Sequence, residues 1–135
     1  MVKTLNIYGG SALGRKIGNF TVNKFNTRSD EGEYYSVKTG VSDYLGDEII
    51  LTVWPDKKIV TDEGYTEYLL DTDPRRMRIG DARKFIESSG VELTNSYNAH
   101  MTVHYEDDNW EEAVHLLTAC IVDTCAIFLA KKRIR

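Results

Sequence analysis

Few side chains in this sequence combine a type and a spacing that could do chemistry, and the first lie in residues 6–18, NIYGGSALGRKIG. Gly9 and Gly14 are spaced as in a phosphate-cradling loop. Such a loop needs G-x-x-x-x-G-K and then Ser or Thr, because the lysine reaches the phosphates and the hydroxyl binds magnesium. Here Arg15 follows Gly14, Lys16 comes one place late and Ile17 replaces the hydroxyl. A dinucleotide site would require a helix N-terminus facing the pyrophosphate and then a parallel strand. Gly18 and the β-patterned Thr21 and Val22 arrive before such a helix can form. The stretch reads as a glycine-rich β-turn or a single helical turn.

His100 and His104 are four apart, a metal-ligand spacing if they lie on a helix. Met101, Val103 and Tyr105 alternate with them, which predicts a strand, and four residues of strand span about 13 Å, too far for one ion. No C-x-x-C or H-E-x-x-H motif is present, so neither a metal nor a cofactor is expected. Cys120 and Cys125 fall in an apolar helical run, where burial raises a thiol pKa and makes it inert. At that spacing they point to different sides of a helix, so no local disulfide is expected. Asp123, in the same run, is costly without a partner. An exposed helix edge or a salt bridge to an arginine from Arg75 to Arg78 would account for it. No catalytic set is complete.

Two charged groups remain. Arg75, Arg76 and Arg78 crowd what reads as the first turn of a helix, where positive charge opposes the helix dipole. They are candidate anion ligands, or simply a solvated turn. Glu106, Asp107 and Asp108, with Glu111 and Glu112, form an acidic knot beside Trp110. This group reads as a partner-binding acidic surface, suited to a basic protein groove or to mimicry of DNA phosphates, or as a well-capped helix start.

The elements that must position these residues change character after Thr61. Residues 3–8, 20–25 and 34–40 read as strands, separated by the glycine turn and by a polar loop at 26–32. Residues 48–54 carry the strongest β signal, and Pro55, Asp56 and Lys57 turn the chain into 58–61. Residues 64–70 predict a short helix. Asp73 and Pro74 then read as the N-cap and first position of a second helix, with Met77, Ile79, Ala82, Phe85 and Ile86 as its apolar stripe and Gly90 as its stop. Residues 101–105 form one more strand. The last helix starts at Asp108, with Glu111 at the capping-box position and Lys131, Lys132 and Arg133 at its far end. Its apolar surface is wider than the roughly 100° stripe that one sheet covers. The second helix, the N-terminal strands or a second subunit must cover the rest, and a homodimer seam is the favoured reading.

The 135 residues amount to one α+β domain: an antiparallel sheet of about five strands with helices packed mainly on one face. Residues 1–61 are mostly β and 62–135 mostly α with one further strand. A hydrophobic share of 41% and a charged share of 28% place the chain in the soluble globular class. The net charge of −4 is uneven: residues 1–60 carry 8 basic and 7 acidic side chains, residues 61–135 carry 9 and 14. Non-specific nucleic-acid binding depends on an excess of Lys and Arg, so this balance speaks against it. Residues 113–130 are long enough for a membrane span, but His115, Thr118, Asp123 and Thr124 interrupt them, and no membrane partner is expected. Cysteine usage and the lack of a leader pattern point to the host-cell cytoplasm.

Four segments, TGVSDYLGDEIILTV, KKIVTDEGYT, SSGVEL and NWEEAVHLL, together resemble a family of uncharacterised bacterial and prophage proteins with an I-T-D-D-G-x-T signature. The resemblance covers about residues 36–130, and its most specific piece is 60–66, with Thr61, Asp62, Glu63 and Gly64 as the signature turn. Glu63 stands where the family commonly has Asp, and the first 35 residues read as strands where the family leads one to expect a helix. The resemblance carries no enzymatic activity and implies a phage or mobile-element setting. The resulting expectation is a small non-enzymatic protein that binds a host or phage protein, such as an inhibitor of a host defence system like CRISPR. A nucleotide-like small-ligand binder or hydrolase is the alternative, using the glycine turn and the arginines. A DNA-binding regulator using Arg75 to Arg78 and residues 131–135 is the third.

Overall fold

A computed structural model of the chain describes residues 15–17, 20–26, 32–94 and 98–133. The strand expected at 3–8 and Gly9 lie outside the described residues, as does Gly14. Five strands come first: β1 (Arg15–Ile17), β2 (Phe20–Asn26), β3 (Glu33–Ser42), β4 (Glu48–Trp54) and β5 (Ile59–Thr61). Helix α1 (Tyr65–Asp71), a 3₁₀ turn (Ile79–Ala82), α2 (Arg83–Ser88), β6 (Glu92–Thr94), β7 (His100–His104) and α3 (Trp110–Arg133) follow. The strands form one sheet in the order β1-β2-β3-β4-β5-β7-β6, every neighbouring pair antiparallel. The α+β class and the antiparallel sheet agree with the sequence reading, with seven strands in place of about five.

Period-two alternation sends one face of the sheet inward. Val22, Val37, Leu51, Val53, Val60, Met101 and Val103 all lie buried on that face. Against them pack Leu69 and Leu70 of α1, Ile86 of α2, and Trp110, Val114, Leu117, Ile121 and Phe128 of α3. Trp110 is 1% exposed and belongs to this core, so it is withdrawn from the acidic surface that the sequence suggested. Leu116 and Val122 on the flanks of α3 remain partly open, each 39% exposed. This is the surplus apolar surface that the sequence assigned to a subunit seam. By length and composition α3 could cross a membrane over Trp110–Ala130, yet half of that window is buried inside the fold.

Several elements differ from expectation, most of them by a residue or two at an end and one by its whole first turn. No helix begins at Pro74. The Asp73 carboxylate instead accepts the Arg75 backbone N–H at 2.9 Å in an Asx-type turn, and Arg76 sits in the left-handed region at φ 48°. Arg78 is extended, and helical geometry resumes only at Ile79. The short strands β1 and β6 were not foreseen, and α3 starts at Trp110, two residues beyond Asp108.

Candidate functional site

The buried carboxylates serve the fold. Asp62 is 3% exposed and accepts three backbone N–H groups: Gly64 at 2.9 Å, Thr66 at 3.1 Å and Met101 at 2.9 Å. It satisfies first-turn amides of α1 and ties that turn to β7, two tasks for which short acidic side chains are suited. Glu63 and Gly64, at φ 55° and 83°, bend the chain between them, and a Cβ on Gly64 would press on the His100 ring at 3.2 Å. Thr61 Oγ1 accepts the Glu63 N–H at 3.1 Å. The signature turn is thus a structural joint.

Asp43 accepts the N–H groups of Leu45 and Asp47 and the Tyr65 hydroxyl. Burial and that hydrogen bond push the Tyr65 phenol well above its ordinary range. Asp73 receives the Arg75 guanidinium on both oxygens at 2.8 Å and the Tyr44 hydroxyl at 2.9 Å. The hydrogen bond from Arg75 leads in holding the Asp73 carboxyl far below the usual carboxylate range. Burial and Asp73 push Tyr44 up to about 12. Cys120 and Cys125 are both free and buried, and burial raises both thiols, Cys125 to about 11. Asp123 lies on an exposed edge of α3.

The arginines are not brought to one place. Arg75 is spent on Asp73, Arg76 is exposed on its turn, and of the three only Arg78 lines the neighbouring cleft of about 470 Å³. That cleft also holds Glu67, Asp71, Asp81 and Arg83, a mixed-charge lining rather than an anion cradle.

What remains for recognition is the outer face of the sheet, which carries no helix among the described residues. The strand register places Phe25, Tyr34, Trp54, Ile59 and His104 in one cross-strand row. Asn23, Ser36, Thr52, Thr61, Thr102 and Glu92 form the next. The aromatic rings stand against each other, Phe25 stacked on Tyr34 at 5.3 Å and Tyr34 tilted on Trp54 at 4.9 Å. Stacking of this kind stabilises a sheet. It engages the Tyr34 ring with rings from both neighbouring strands.

Beyond Trp54 the face opens into a groove of about 370 Å³ lined by Trp54, Lys57, Ile59, Glu63, Glu92, His100 and His104 over a floor of Thr61, Thr94 and Thr102. The Trp54 indole N–H donates to Glu63 Oε1 at 2.9 Å, which fixes the ring, and Lys57 Nζ lies 5.0 Å from the ring centroid. His104 pairs with Glu92 at 3.1 Å, and His100 lies 3.8 Å from Glu63. The two histidines fall on the same strand, as their alternation required, and each has its own carboxylate. No group of three metal-ligating side chains occurs among the described residues.

The acidic knot follows β7, beyond His104, which lines both this groove and a second cleft shared with Glu106 and Glu112. The N–H of Tyr105 donates to the Lys58 carbonyl at 3.0 Å, joining the end of β7 to the β4–β5 turn. Burial first, then the charges of Asp108 and Asp56, push the Tyr105 phenol up to about 12. Glu106, Asp107 and Glu112 are exposed, and Asp108 and Glu111 half-buried. Asp56 lies with Asp108 around Tyr105, and Glu92 pairs with His104 at the end of β7. The acidic knot is contiguous in sequence, whereas the groove formed by Trp54, Glu63, Glu92 and His104 is brought together only by strand pairing.

No family model matches the chain, and neither a curated protein nor a solved structure matches it.

Proposed function

We propose that this is a non-enzymatic protein that acts by binding another protein, and that the partner presents a basic surface to the acidic end. The observation that carries the reading is the acidic cluster at the start of α3, where Glu106, Asp107, Asp108 and Glu112 stand with Asp56 of the β4–β5 turn and Glu92 of β6. Opposite charge speeds encounter and suppresses wrong partners. The buried polar groups support the same reading, since Asp43, Asp62 and Asp73 are engaged in turns and both thiols are raised by burial. A phage or mobile-element setting, with a host defence system such as CRISPR as the target, is the narrower form of the proposal and rests on the resemblance of the signature turn. Native mass spectrometry of the tagged protein isolated from its host tests it. A stoichiometric basic protein should be present with the wild type and absent after E106K/D107K/D108K. Unchanged capture by the triple variant would remove the acidic end from the proposal.

A further inference from the structure

The groove beside Trp54 has a composition that the acidic knot lacks. It joins an aromatic ring held in one orientation by Glu63, two carboxylates, a floor of three threonines and room of about 370 Å³. Its one ammonium, Lys57 Nζ, already lies 5.0 Å from the Trp54 ring centroid. Cations are drawn to such a ring by its quadrupole. Lys57 is exposed on the turn between β4 and β5 and makes this contact from its own flexible stem, so a better-fitting cation can take its place. Glu63 and Glu92 are 43% and 53% exposed, open to a partner while carrying their histidine neighbours. A guanidinium suits this arrangement better than an ammonium, because it is planar, stacks on an aromatic face and forks onto a carboxylate.

We propose that the groove receives one arginine side chain of the basic partner, whose guanidinium displaces the Lys57 ammonium from Trp54 and bonds to Glu63. This rests on the reading of the protein as a binder of a basic partner and adds to it a specific contact. The two tryptophans make the test direct, since Trp54 lines the groove and Trp110 is buried in the core. Their indole N–H signals in ¹⁵N NMR are followed while N-acetyl-arginine amide is added, with N-acetyl-citrulline amide as the uncharged isostere.

The Trp54 signal should move saturably with the arginine probe alone while Trp110 stays still. Lys57→Ala, an exposed substitution outside any strand or helix, should tighten binding about two- to fivefold, as expected from removing a competing cation–π contact. Equal shifts with both probes, no Trp54 shift in either protein, or weaker binding by Lys57→Ala would each overturn the proposal. Loss of partner capture by E106K/D107K/D108K without any Trp54 response would refute the groove and leave the broader function standing. A Trp54 response with capture unchanged in the triple variant would do the reverse.

Discussion

Replacing Asp62 by alanine should be among the most damaging single changes in this protein. The carboxylate accepts N–H groups from Gly64, Thr66 and Met101, and all three residues are buried. A buried donor left unsatisfied costs about 1–3 kcal/mol. Three such donors, relieved in part by water entering the space the side chain leaves, give an expected loss of about 3–5 kcal/mol. That is a large share of the roughly 5–15 kcal/mol by which domains are usually stable, and it corresponds to a fall in melting temperature of roughly 10–18 °C. Asp62→Asn keeps the shape and one good acceptor but turns an NH₂ donor toward one of the amides, so about 1–3 kcal/mol is expected. Urea denaturation gives both values, and hydrogen exchange locates them: the Met101 and Thr66 amides should lose protection before that of Leu51. A change of less than about 1 kcal/mol in Asp62→Ala would show that the joint does not depend on this carboxylate, and would refute the structural account of the signature turn.

Three further outcomes are expected. The Asp73 carboxyl has its folded pKa below its unfolded one, so its stabilisation is complete above the ordinary carboxylate value of about 4 and is lost as the pH falls below it. Urea unfolding of wild type should therefore weaken on acidification more steeply than that of Arg75→Ala; parallel curves would refute the coupling. Cys120 and Cys125 should resist a thiol reagent in the native protein at pH 8 and react in urea, both being buried with raised thiols; fast native labelling would contradict their packing. Trp110→Ala should cost about 3–5 kcal/mol as a core deletion, whereas E106K/D107K/D108K, which opposes the α3 dipole but leaves the core intact, should lower the urea midpoint much less, which separates the buried indole from the acidic surface around it.

Most of the fold could be read from local pattern. β4 agrees with its expected limits because β-branched and aromatic residues dominate it, and β7, expected at 101–105, forms one residue earlier at His100–His104, where Met101 and Val103 alternate inward. Asp73-Pro74 is a sound helix-start signal in isolation, yet helical geometry begins only at Ile79. What overrides it is long-range: the Asp73 oxygens are occupied by Tyr44 and Arg75, and Arg76 turns left-handed. Strands β1 and β6 are each three residues long, too short for periodicity to declare, and exist through their pairing with β2 and β7. The candidate site was half legible for the same reason. Glu106 to Asp108 are contiguous in sequence, whereas Trp54, Glu63, Glu92 and His104 meet only through the sheet.

The strand order also bears on how the molecule comes together in time. From β1 to β5 each strand pairs with the next along the chain, a meander of local contacts of the kind that forms early. The pairing of β5 with β7 closes an excursion that contains α1, α2 and β6, and the bond from the Met101 N–H to Asp62 spans 39 residues at its neck. Contacts that close so long a loop come after the local ones have formed. Loss of the Asp62 carboxylate should therefore appear mainly as faster unfolding, with the refolding rate little changed. The same residue that fixes the turn in the finished structure would act as the latch that keeps the two halves from parting.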